Sequence, residues 1–172
     1  MIMRPGQPLL LPANPFFIWF SLLAALLINM LPLGRIPWRP DVVAVVLVFW
    51  SVHQPLRIGI STAFLFGLAM DVHQAALLGQ HALAYTALTY FAITIHRRLL
   101  WFKVPSQAVQ VLPLFAASHA IELALRMVAG GAFPGPQIVL APVIEAILWP
   151  IVTIVLLAPQ RRAPDPDENR PL

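Results

Sequence analysis

The sequence predicts an all-α membrane protein, a six-helix transmembrane bundle in a single domain, and three observations predict it. Of 172 residues, 59% are hydrophobic and only 10% charged, with mean hydropathy +0.80. A soluble domain of this size carries about 25% charged residues to coat its surface, so the 11 basic and 7 acidic side chains are too few for a soluble globule. The apolar residues gather in runs approaching the roughly 20 residues a helix needs to cross a bilayer. No run alternates strictly over about ten residues as a barrel strand does, which favours helices. The net charge of +4 and pI near 10.7 do not indicate nucleic acid, because the basic residues are not clustered with aromatics on a polar face. With no cysteine, disulfides, thiolate metal sites and cysteine nucleophiles are excluded together.

The first span covers 16–33. Its apolar core of about 18 residues exceeds the 7–15 of a secretory signal, and Asn29, Met30 and Leu31 make a poor cleavage site. It reads as an uncleaved helix. The second span, 41–53, opens at Asp41 and is short, so it is tilted, buried among other helices, or re-entrant. A five-helix topology in which it does not cross is the main structural alternative. The remaining spans cover 56–71, 77–95, 104–128 and 138–157, so residues 1–158 form the helical domain. The tail, 159–172, is rich in proline and charge, lacks an apolar period, and is expected to be disordered.

The prolines agree with this division. Of 18, only Pro113, Pro142 and Pro150 fall inside spans, where neighbouring helices can compensate a kink. The others, including Pro37, Pro40, Pro55, Pro105, Pro134, Pro136 and Pro159, mark ends and connections.

Basic residues orient the bundle, because loops rich in Lys and Arg stay in the cytoplasm. Six spans place Arg4, Arg57, Arg97, Arg98, Lys103, Arg161, Arg162 and Arg170 on the side of the termini, against Arg35, Arg39 and Arg126 on the other. Both termini are therefore expected in the cytoplasm, and the tail with them.

Asp41, Asp71, Glu122 and Glu145 lie within or at the ends of spans, all toward the non-cytoplasmic side. An ionisable group inside a bilayer costs about 2.5–3.5 kcal/mol and so usually has an assigned partner. Asp41 can cap its own helix. Glu122 and Arg126, four apart in the favoured acid-first order, can pair on one face. Glu145 has no local partner and is expected to face another helix or a cavity. The alternative to local pairing is a polar cluster under the outer surface that fixes the bundle's geometry or receives a partner.

Gly59, Ala63 and Gly67 recur every four residues, and Asp71 is the next position of that stripe. Small residues so spaced let two helix backbones approach closely, within the bundle or between molecules. A tight turn and Gly79 follow.

Signals for catalysis are weak. His53, His73, His81, His96 and His119 are scattered, without an HExxH or a repeated i, i+4 pair. His119 and Glu122 share a face, but two ligands are too few for a metal. There is no GxSxG elbow, Walker-type loop or paired-aspartate protease signature. Neither an enzyme nor a cofactor is expected. Trp38, Trp50, Trp101 and Trp149 lie near span ends and read as interfacial belt residues.

Two segments carry a resemblance. One is Arg39-Pro40-Asp41 opening the second span and continuing Val-Val-Ala-Val-Val-Leu. The other is Gly67-Leu-Ala-Met-Asp71 followed by Leu78-Gly79-Gln-His-Ala-Leu-Ala-Tyr85. With six short spans, the basic His96-Arg97-Arg98 after the fourth and this length, the chain resembles MreD, the rod shape-determining membrane protein family of bacteria, nearest its proteobacterial members. The resemblance extends over nearly the whole chain; the GLxxD and LGxxAL segments are its specific part. It implies an inner-membrane component of the cell-elongation machinery, working beside MreC and, through the complex, MreB, RodA and a class B penicillin-binding protein. Its role there is to organise or regulate lateral peptidoglycan synthesis without catalysis. The resemblance further implies a fold similar to the substrate-binding subunits of energy-coupling-factor transporters. By motif position, Arg39, Pro40, Asp41, Gly67, Asp71, Leu78 and Gly79 are the candidates for structure or partner contact. The alternative function is a transporter subunit binding a small solute near Asp71, Glu122 and Glu145.

Overall fold

Six α-helices follow one another along the chain: α1 (Pro15–Met30), α2 (Val42–His53), α3 (Ile60–Gln74), α4 (Gln80–Leu100), α5 (Val104–Val128) and α6 (Leu140–Leu157). Short 3-10 turns flank α6 at Pro136–Val139 and Ala158–Gln160. A computed structural model describes residues 13–161 except 33, 35 and 37, and among the described residues there is no strand. The expectations for the tail beyond Arg161, for Arg4, Arg35, Arg162 and Arg170, and for Pro37 lie outside the described residues.

Each helix starts where the sequence supplies a start. Asn14 accepts from the Phe16 N–H at 3.0 Å ahead of Pro15, whose missing N–H costs nothing in a first turn. Asp41 accepts from the Ala44 N–H at 3.0 Å and caps α2. Pro105 sits in the first turn of α5, and Pro142 in the first turn of α6 rather than in its interior. Two helices start later than their apolar runs. Residues 54–59 form a turn in which the Arg57 and Ile58 N–H groups bond to the Gln54 carbonyl, so α3 begins at Ile60. Gly79, with φ +101°, ends the next connection, and α4 runs from Gln80 to Leu100.

Short connections make consecutive helices antiparallel. The ends of α1, α3 and α5 therefore meet the starts of α2, α4 and α6 at one end of the bundle. Neighbours in the chain pack together along α3–α4, α4–α5 and α5–α6, whereas α2 lies among α1, α4 and α6. All ten residues from Val43 to Val52 are buried. A helix apolar on every face belongs in the interior, and that accounts for the short second span. At about 1.5 Å per residue α2 is about 18 Å long, against a hydrocarbon core of about 30 Å. Among the described residues, only α5 and the helical stretch Pro136–Gln160 are long and apolar enough to cross a membrane by length and composition.

Burial overturns two of the tryptophan expectations. Trp38 and Trp101 are exposed, but Trp50 and Trp149 are fully buried. Their indole N–H groups donate to Ser21 Oγ at 2.8 Å and to Gln107 Oε1 at 3.2 Å. A buried indole needs an acceptor, and each finds one on another helix. Large apolar side chains also point outward, among them Leu65, Val109, Ile147 and Val155.

The small-residue stripe on α3 packs inside this chain. A Cβ on Gly67 would stand 2.3 Å from Ala82 Cα and 2.5 Å from Ala82 N, so α3 and α4 touch backbone to backbone. Ala63 and Asp71 are buried along the same line, while Gly59 stands before the helix with no atom within 4 Å of its Cβ position. Gly67→Ala is expected to lower stability by about 1–3 kcal/mol, as overpacked cores do, and Gly59→Ala to be nearly neutral. Thermal melting of the two variants in detergent separates them.

Candidate functional site

Where three helices finish and three begin, a cavity of about 680 Å3 opens. Asn29, Arg39, Pro40, Asp41, His81, Glu122 and Arg126 are among its lining residues. Its floor follows from the need to satisfy helix ends that water does not reach.

The start of α2 draws on the most neighbouring helices, taking side chains from α1, α4 and α6. The Asp41 N–H donates to Glu145 Oε1 at 2.8 Å, and the Val42 N–H to Asn29 Oδ1 at 3.1 Å. Asn29 Nδ2 donates to Asp41 Oδ1 at 2.6 Å, and the Tyr85 hydroxyl donates to Asp41 Oδ2. Asp41 thus joins side chains of α1 and α4 while capping α2. Glu145, fully buried on α6, reaches across helices and also accepts from His119 Nε2 at 2.8 Å. Arg39 closes the end of α1: its guanidinium donates to the carbonyls of Ile28 at 3.0 Å, Asn29 at 2.6 Å and Leu31 at 3.3 Å. A cation at a helix C-terminus also suits the dipole.

Asp71 does for α4 what Asp41 does for α2. Its Oδ2 accepts from the N–H groups of Gly79 at 2.8 Å and Ala82 at 3.4 Å. Its Oδ1 accepts from the His81 N–H at 2.7 Å and from His81 Nδ1 at 2.8 Å. The last residue of α3's small-residue line is therefore the N-terminal cap of α4. Ala75, in the left-handed region at φ 49°, lets the chain turn back between them. Leu78 in this connection is exposed.

One expected pair does not form. Glu122 turns toward two histidines, 3.6 Å from His119 Nδ1 and 4.0 Å from His81 Nε2. Arg126, one turn on, is exposed and folds against Gly131, whose N–H donates to the Arg126 carbonyl at 2.9 Å. Glu122 faces into the bundle and Arg126 its rim, which separates them. The structure brings Asp41, Asp71, Glu122 and Glu145 to one end of the bundle, as the outer-side cluster supposed, but through Asn29, His81, Tyr85 and His119. Asn29 gives no motif signal, its only hint being an Asn within an apolar run, and Tyr85, although it closes the segment that begins at Leu78, carries nothing in the sequence that marks it as a partner of Asp41. Among the described cations, Arg57, Arg97, Arg98, Lys103 and Arg161 lie at the opposite end from Arg39 and Arg126.

The model of the family described as rod shape-determining protein MreD matches residues 12–158, across all six helices. The chain belongs to the MreD family. A curated relative, the rod shape-determining protein MreD of Haemophilus influenzae, is 25% identical over 155 residues, covering 84% of this chain and 93% of that protein. No solved structure matches the chain. Membership places the protein in a membrane family concerned with rod shape and not known for catalysis.

In the MreD segment GLAMD, removing the carboxylate of Asp71 strands the buried N–H of His81, at about 1–3 kcal/mol, and also takes the acceptor from the half-buried N–H of Gly79. Asp71→Ala is expected to melt well below the wild type in detergent, whereas His73→Ala, exposed two residues on, is expected to stay close to it.

Proposed function

We propose that this chain is a non-enzymatic, multi-pass inner-membrane component of the cell-elongation machinery. It crosses the membrane six times with both termini in the cytoplasm, and its bundle resembles the substrate-binding subunits of energy-coupling-factor transporters. It organises or regulates lateral peptidoglycan synthesis beside MreC and, through that complex, MreB, RodA and a class B penicillin-binding protein.

The family match across all six helices carries this reading. The site chemistry supports it: Asp41 and Asp71, the acids of the two motif segments, are occupied in holding helix ends. Groups committed to capping are poorly suited to act as a nucleophile or base. The distribution of described cations supports the orientation, with five at the end assigned to the cytoplasm. The transporter alternative draws no support from the relatives.

Depleting the protein in its own bacterium is expected to convert rods to spheres, and the tagged chain is expected to recover MreC from detergent extracts. Rods that keep their shape, together with unchanged recovery of the remaining complex, overturn the proposal. For orientation, a reporter active only in the cytoplasm is expected to work when fused after residue 161.

A further inference from the structure

We infer that the corner between α4 and α5, at the end of the bundle opposite the cavity, binds the headgroup of an anionic phospholipid through Arg97, Arg98 and Lys103. This site rests on the multi-pass reading, which places that end at a membrane surface, and not on the role in cell shape.

The corner is cationic and apolar within a few residues. Arg97, Arg98 and Lys103 are exposed, and so are Leu100, Trp101 and Phe102 between them. Leu99 turns inward and is fully buried. Trp101 is 89% exposed. A large apolar ring gains nothing from water, whereas an indole suits the headgroup level of a bilayer. Arginine offers paired donors that fit phosphate oxygens, and Lys103 adds a third charge. An acidic segment of another protein would answer the cations alone. A phospholipid at the end of a membrane helix answers the cations and the exposed rings together.

The charges are also available. Among the described residues Arg97, Arg98 and Lys103 pair with no carboxylate, because Asp41, Asp71, Glu122 and Glu145 all lie at the other end. Arg39, by contrast, is committed to three carbonyls at the end of α1. Arg57, at the same end as the corner, donates to the Ala13 carbonyl at 3.4 Å.

The turn that carries the three cations is held in shape. The Trp101 N–H donates to the Arg98 carbonyl at 3.3 Å, and the Phe102 N–H to the Leu99 carbonyl at 3.2 Å. Gln107 is buried; its Nε2 donates to the Phe102 carbonyl at 3.0 Å, and its Oε1 accepts from the Trp149 indole at 3.2 Å. One side chain thus ties the corner to α6. A turn fixed before binding loses less entropy when a headgroup arrives.

The test uses the full-length protein in nanodiscs of phosphatidylglycerol and phosphatidylcholine in equal parts. After extraction into detergent, the retained lipids are counted by native mass spectrometry. Failure to enter the bilayer overturns the multi-pass reading and this site together; every other outcome bears on the site alone. The wild type is expected to retain phosphatidylglycerol in preference, and R97Q/R98Q to lower that preference about fivefold. R97K/R98K, which keeps both charges, is expected to preserve most of it. At about 1 M salt, where charges act over only about 3 Å, the wild-type preference is expected to fall as well. That arm needs no variant. The replaced side chains are exposed, so the variants are expected to fold, and melting in detergent checks this. Equal retention of the two lipids, a preference that R97Q/R98Q leaves intact, or one that salt does not move overturns the inference. So does a preference seen only in D165N/D167N/E168Q, which gives the corner to the chain's own acidic segment.

Discussion

The structure depends on burying one short helix. α2 is buried on every side from Val43 to Val52, and its first N–H groups start among the neighbouring helices, beside the cavity. An unsatisfied backbone group in a membrane interior costs several kcal/mol, so neighbouring helices must supply acceptors at that depth. Glu145 from α6, Asn29 from α1 and the capping Asp41 do so. Tyr85 and His119 then serve the carboxylates brought in for this purpose. The polar cluster is thus the consequence of an apolar core.

The same device recurs on a smaller scale. Gly67 lets α3 lie against the backbone of α4, and that closeness puts Asp71 within reach of the first N–H groups of α4. A larger residue at 67 would push the helices apart and withdraw the cap. Packing and capping are coupled here, because the distance between backbones sets whether the carboxylate reaches its donors. The two motif segments, one around Asp41 and one around Asp71, are two solutions to the same problem of beginning a helix inside a bundle.

Much of this is legible along the chain. Asp41 as a cap and Glu145 as a residue without a local partner both follow from spacing, and the structure places them so. The small-residue stripe marks close approach, although which helix it meets is not encoded in its period. The failures share one cause. Pairing Glu122 with Arg126 considered a single helix, whereas the histidines that face Glu122 include His81 on another. Position near a span end predicts an interfacial place for Trp50 and Trp149, but the packing of α2 and α6 encloses both.

By itself the sequence determined the helical class, the succession of apolar segments and the gathering of the four span acids at one end with most of the described cations at the other. Those properties depend on local hydropathy and on the alternation of direction along the chain. The tertiary structure alone decided which polar groups meet. Asp41 and Glu145 are 104 residues apart, and their contact exists only because α2 and α6 pack side by side. Hydropathy says that a helix is buried; its neighbours decide what satisfies its ends.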